Sequence, residues 1–171
     1  MNFSLISDKS ELKKTLFSIT HGLYILTTAD KGRLNGQCLD ALMQVTSDPP
    51  RIAISIRKTS LTYEMINATN VFGINVLSKN DASCLEKVKH FGLQSGRNVD
   101  KFASIPYELT ENGIPMIPDT KAFFECKVVC QMTCDLQTHT LFIADVTAAG
   151  MNPEGEPLTY NEYRKGKSND K

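Results

Sequence analysis

The sequence predicts a mainly β protein, an antiparallel barrel with peripheral helices. Three observations lead there. Apolar runs alternate with period two, clusters of Gly, Asn, Asp and Pro separate them at hairpin spacing, and no regular βαβ alternation appears. With 171 residues, 41% hydrophobic and 22% charged, the chain has the size and composition of one globular domain. A chain of that length buries roughly 70% of its unfolded surface, so it needs no metal or disulfide staple.

The elements follow in order. Asp8 with Glu11 three residues on is a capping-box pattern, and Leu12, Leu16 and Ile19 share a face, which predicts a short first helix. Gly22 opens the β-rich run Leu23 to Thr28, and Asp30-Lys31-Gly32 and Asn35-Gly36 are turn signals that fit a hairpin. Pro49-Pro50 interrupts the chain ahead of a strand at Ile52 to Ile56. Ser60 to Asn67 reads as a short helix, Val71 to Leu77 as a strand, and 81–91 as a helix with Leu85 and Val88 on one face. The polar, Gly-containing stretch 92–104 predicts a long functional loop. Two β-runs, 121–136 and 138–149, predict a hairpin turning near Asp135 to Thr138. The polar tail that follows is expected to fray.

Charge and composition exclude several function classes. Nineteen basic side chains balance nineteen acidic ones, which argues against a nucleic-acid or anionic-membrane binder. There is no Trp and only 8% aromatics, so an oligonucleotide-binding barrel lacks its stacking platform. No apolar run approaches 18 residues, and Met1 to Asp8 has neither a charged n-region nor a long apolar h-region. Five cysteines, an odd number with no C-x-x-C pair, point to a reduced, cytoplasmic setting.

Three segments have the residue types for a ligand. The first is Asn35 to Pro50. The second, Arg57-Lys58-Thr59-Ser60-Leu61-Thr62, joins a strand to a helix and combines two bases, hydroxyls and helix-start amides, the donors a phosphate needs. Spacing alone leaves this open against a simple helix cap beside two solvated bases. The third, Phe91 to Phe102, holds two glycines, two bases and an aromatic at each end. It fits a cover for a planar ligand or a plain surface connection.

In order along the chain, Asn35-Gly36-Gln37, Ser47-Asp48-Pro49-Pro50, Lys58-x-Ser60-x-Thr62, Phe91-Gly92-x-x-Ser95-Gly96-Arg97-x-x-Asp100-Lys101-Phe102, Gly113-Ile114-Pro115 and His139-Thr140-Leu141-Phe142 form a fairly specific set. The set resembles the flavin reductase-like family of FMN-binding split barrels, nearest to flavoredoxins and the flavin domain of high-molecular-weight rubredoxins. The resemblance implies a six-stranded antiparallel split β-barrel over residues 1–160, a polar tail over 161–171, a homodimer, and FMN near the subunit interface. It implies that Gln37, Cys38, Leu39, Asp40, Ala41 and Leu42 line the flavin ring, and that Thr46 and Ser47 sit beside the ribityl chain. Lys58, Ser60 and Thr62 would hold the phosphate. Ser95, Arg97, Asp100 and Lys101 would close over the flavin or the nicotinamide, with His139 near the nicotinamide. Leu39-Asp40-Ala41 departs from the family, which places small neutral polar residues there, and an anionic Asp40 near a reduced flavin is unfavourable unless paired.

What the resemblance implies chemically is electron transfer from NADH or NADPH through the flavin to free flavin, a rubredoxin or a ferric chelate. Hydride transfer consumes no protein acid or base, so the lack of a catalytic triad is expected. A rubredoxin partner would be a separate protein, since the sequence has no Cys-x-x-Cys pairs. The alternative is a non-catalytic FMN electron carrier reduced by a partner protein. A metal site is not expected: Cys126, Cys130 and Cys134 fall in a β-rich run, where neighbours four apart lie about 13 Å from each other, too far to share one zinc. Packed free thiols are the expectation for these three.

Overall fold

The computed structural model describes residues 4–169, with side chains up to residue 166. Helix α1 (Lys9–Leu16) is capped by Asp8, whose carboxylate accepts from the Ser10 and Glu11 amides at 3.0 and 3.1 Å. Strands β1 (Tyr24–Asp30) and β2 (Arg33–Leu39) form a hairpin. Its two-residue turn puts Lys31 and Gly32 at positive φ, 48° and 79°, the mirror-image turn that matches strand twist. That turn fixes the register at Thr28 opposite Asn35 and Thr27 opposite Gly36. Asn35-Gly36, expected as a turn, is therefore strand.

After the corner at Asp40-Ala41, the chain forms β3 (Leu42–Ser47) and β4 (Pro50–Arg57). Helix α2 (Leu61–Thr69) follows, capped by Ser60 and ended by Asn70 in the left-handed region. Then come β5 (Val71–Val76), α3 (Cys84–Leu93), the short pair β6 (Glu108–Leu109) and β7 (Pro115–Met116), β8 (Ala122–Val128), β9 (Cys134–Asp135), β10 (His139–Met151) and α4 (Tyr160–Asn169). The main sheet is antiparallel in the order β2-β1-β5-β8-β10-β4-β3, with β9 added to β10. Seven strands thus lie along its path, one more than the six expected, because residues 42–47 of the supposed ligand segment are themselves strand.

The barrel interior is filled by Leu26, Ile54, Ile56, Phe72, Ile74, Cys126 and Phe142, with Ile66 of α2 packed among them. A second core under α3 holds Leu23, Ile25, Leu77, Val88, Phe91, Phe102 and Leu158. β5 reaches only as far as Val71 opposite Lys127, so beyond Val128 the ladder loses that neighbour and the chain turns through a 3₁₀ segment, Cys130–Met132. The three cysteines are consequently not one packed row: Cys126 is buried, while Cys130 and Cys134 are exposed.

The tail expected to fray is helical to Asn169; its last two residues lie outside the described part. Thr159 and Glu162 form a reciprocal cap, with the Thr159 amide donating to Glu162 Oε2 at 2.9 Å and the Glu162 amide donating to Thr159 Oγ1 at 3.2 Å. These amide and hydroxyl donors hold the Glu162 carboxyl below its ordinary value. Tyr160 and Tyr163 pack on the second core. The Arg164 guanidinium sits 4.3 Å from the Phe17 ring centre, and Gly22 bridges Thr159, so the two ends of the folded chain meet. No helix among the described residues is long and apolar enough to cross a membrane.

Candidate functional site

β2, the β4–α2 turn and the loop after α3 enclose a cleft of about 320 Å³. Each wall has a local cause. The tight Lys31-Gly32 turn sets β2 so that Asn35 to Cys38 face the cleft. The Ser60 hydroxyl donates to Arg57 O at 2.9 Å and accepts the Tyr63 amide at 3.1 Å, which stops β4 and starts α2. Being spent on that cap, it leaves the first-turn amides of Leu61 and Thr62 without acceptors in the helix, at its positive end. The third wall is the segment from Phe91 to Lys101.

Asn35 is buried, and its Nδ2 donates to Thr62 Oγ1 at 2.9 Å. Its Oδ1 has no partner. A Cβ on Gly96 would collide with that oxygen, so glycine keeps the space beside it open. Arg57 lines the cleft with a guanidinium that takes no hydrogen bond or ion pair among the described residues. Arg97 reaches from the loop to Glu64 Oε1 of α2 at 2.6 Å and to Thr59 O at 3.5 Å. That hydrogen bond holds the Glu64 carboxyl below the usual carboxylate value. Lys101 is 3% exposed and donates to Gly36 O at 2.8 Å and Phe91 O at 3.0 Å. Burial lowers its pKa. The half-buried Cys38 thiol is pushed up to about 12 by burial and then by Asp40, so it is neutral at physiological pH.

Of the residues expected at a site, Gln37, Cys38, Ser60, Thr62, Ser95, Arg97 and Lys101 come together around this cleft. Lys101 lies within its wall, under the loop rather than over the opening. Lys58 stands beside the cleft, with its amine paired to Asp135 at 2.6 Å. The Lys58 hydrogen bond holds the Asp135 carboxyl below its ordinary value. His139 is opposite Arg57 on the adjacent strand, with Nδ1 2.9 Å from Thr138 Oγ1. Asp100 lines a neighbouring hollow that shares Gly96 and Arg97 with the cleft. Leu39 points into the barrel core, and Ala41 packs at its edge. The Asp40 carbonyl approaches His21 Nδ1 at 3.3 Å. Leu42 and Thr46 line a separate apolar groove of about 790 Å³ with Met43, Phe124 and Val146. Ser47 ends β3, accepting from Gln44 Nε2 at 3.0 Å.

Sequence reasoning placed Asn35 at the start of a candidate segment but did not single it out among the candidate binding residues, because Asn-Gly reads as a turn. It weighed Arg57 only as accompanying charge. The signal for both was positional: Arg57 ends a strand directly before a helix cap, and Asn35 alternates with Gln37 along β2.

An antiparallel split barrel with a helix N-terminus beside a glycine-containing loop is an architecture that solved flavin reductase structures share. The chain is a member of the flavin reductase-like family: the family described as "Flavin reductase like domain" matches residues 16–167. It is 44% identical over 155 residues to the high molecular weight rubredoxin of Moorella thermoacetica, covering 90% of this chain and 66% of that protein. It is 32% identical over 159 residues to the ferric-chelate reductase (NAD(P)H) of Archaeoglobus fulgidus, covering 91% and 92%. Among solved structures, the Streptomyces globisporus C-1027 NADH:FAD oxidoreductase SgcE6 superposes with a TM-score of 0.82 at 22% identity, covering 93% of each chain.

Proposed function

We propose that the chain binds FMN in the 320 Å³ cleft and passes electrons from NADH or NADPH to an acceptor, whether free flavin, a rubredoxin or a ferric chelate. The donor set carries this reading. The α2 amides, the uncommitted Arg57 guanidinium and the Thr62 hydroxyl suit a phosphate, and the orphaned Asn35 Oδ1 beside them suits a ligand hydroxyl. A phosphate followed by a polyol is the tail of a flavin mononucleotide. When bound, the flavin supplies hydride acceptance. The chain's own residues anchor the phosphate, take up hydroxyl protons in hydrogen bonds, and shield the cleft from water with the loop that Arg97 ties to α2.

Three further features of the reading have support. An apolar groove beside the exposed Met43 and Val45 of edge strand β3 favours a homodimer across that face. The five free cysteines favour a reducing cytoplasm. The relatives' names favour a rubredoxin or ferric acceptor over others.

The test is purification, a visible spectrum, and anaerobic titration with NADH and with NADPH. A yellow protein bleached by either donor is the expected result. A colourless protein that takes up no FMN at micromolar levels overturns the reading, and a yellow one bleached only by a reduced partner protein marks an electron carrier. The phosphate assignment has its own test. Arg57→Ala should weaken FMN binding by about 2 kcal/mol while leaving riboflavin affinity nearly unchanged. Lys58→Ala should cost less, because its amine is already engaged by Asp135. Equal losses of FMN and riboflavin would remove Arg57 from the phosphate.

A further inference from the structure

Among the described residues two lysines are buried, in different ways. Lys87, 5% exposed, has a carboxylate partner: its amine is 2.9 Å from Asp81 Oδ2, in a pair whose side chains are only 6% and 7% exposed. Lys101, 3% exposed, has none. Its amine meets two neutral carbonyls, Gly36 O and Phe91 O, and the titratable group within Coulombic reach is the Cys38 thiol, which is neutral. An ammonium taken out of water without a counter-ion is costly. Carbonyls at the end of α3 offset part of that cost, as a helix C-terminus favours a cation. Yet a neutral donor would satisfy the same two carbonyls at a smaller desolvation cost. The charge itself therefore calls for an explanation, and Lys101 lines the cleft.

We propose that Lys101 is the built-in counter-charge for the reduced flavin, a fixed cation in the cleft wall that favours the ring once it has gained electrons. The inference rests on the flavin reading above. A hydride taken from NADH or NADPH brings two electrons and one proton to a neutral ring, leaving the nicotinamide as its cation and the ring with one added negative charge. A buried cation binds that form more tightly than the oxidised form, because neither bulk water nor a protein carboxylate screens it. The ratio of the two affinities is the shift in flavin potential, so Lys101 acts as an electrostatic positioning residue on the equilibrium and exchanges no proton.

The readout is the dissociation constant of oxidised FMN and of dithionite-reduced FMN, measured anaerobically on the full chain. Lys101→Gln keeps an N–H for the carbonyls and removes the charge. It should weaken reduced FMN at least tenfold more than oxidised FMN, about 30 mV for a two-electron couple. Lys101→Arg should restore the native ratio. Lys101→Met removes the charge while keeping the length of the side chain; it should move the ratio in the same direction and serves if Lys101→Gln does not fold. A ratio that stays native in Lys101→Gln or, failing that, in Lys101→Met overturns the proposal and leaves Lys101 as a staple between β2 and α3. Failure of the unmodified chain to bind either form of FMN would instead overturn the flavin reading itself.

Discussion

Replacing Asp81 with Asn should destabilise the protein by about 3–5 kcal/mol, the cost of leaving a buried charge without its partner. Asp81 Oδ1 accepts from the Ser83 amide and hydroxyl, both at 2.8 Å, and Oδ2 accepts from Lys87 at 2.9 Å. Lys87 also donates to Pro118 O at 2.8 Å, so the pair ties the first turn of α3 to the segment leading into β8. Burial by itself raises the Asp81 carboxyl, but the Lys87 and Ser83 donors outweigh it and hold the group below its ordinary value. A carboxyl depressed in the folded state contributes stability above its unfolded pKa of about 3.9, and that contribution is lost as pH falls through the folded value. Urea unfolding at pH 7 should therefore show the full gap between the native chain and Asp81→Asn. The gap should close below about pH 4. A gap that stays constant down to pH 2 would mean that the carboxylate contributes through hydrogen bonding alone.

Gly73→Ala is expected to cost about 2–3 kcal/mol through overpacking. Gly73 lies in the middle of β5, opposite Thr27 on β1 and Glu125 on β8. A Cβ there would stand 2.6 Å from Thr27 Oγ1, 2.7 Å from Ile114 Cγ2 and 2.7 Å from Phe123 Cε2. The three neighbours come from three different segments, so no single shift relieves the crowding. Thr27 is further held by its hydrogen bond to Pro115 O at 2.7 Å, in the same buried network as Asn75. Each kcal/mol lowers Tm by about 2–4 °C in a chain of this size, so thermal unfolding should move by about 4–12 °C. A shift under 1 °C would show that Thr27, Ile114 and Phe123 all give way without cost.

Much of this architecture is legible in the residues because local and tertiary signals agree there. The helix expected at 60–67 forms at Leu61–Thr69, and the strand expected at 71–77 forms at Val71–Val76. Where they disagree, tertiary context decides. Asn35-Gly36 has turn propensity, but the mirror-image turn at Lys31-Gly32 uses only two residues and leaves Asn35 in the ladder. The run 121–136 has β-type residues throughout, but the ladder ends where β5 ends. The tail's composition suggested fraying, although Thr159-x-x-Glu162 was a readable helix start. Site residues were harder to assign. Motif order located the cleft's three walls, yet it could not tell that Lys58 is engaged by Asp135, that Arg57 is not, or that Lys101 is buried. Those facts depend on which side chains from distant segments meet.

The stacking of Arg164 on Phe17 and the bridge between Gly22 and Thr159 give this barrel a nearly circular chain path. A short peptide spliced between the outermost helices, with a new opening cut between the exposed turn residues Glu111 and Asn112, would reorder the gene without breaking a rung of the main sheet. Such a permuted version would move the attachment point of a fused domain from the α1 and α4 ends to the hairpin Glu108 to Met116.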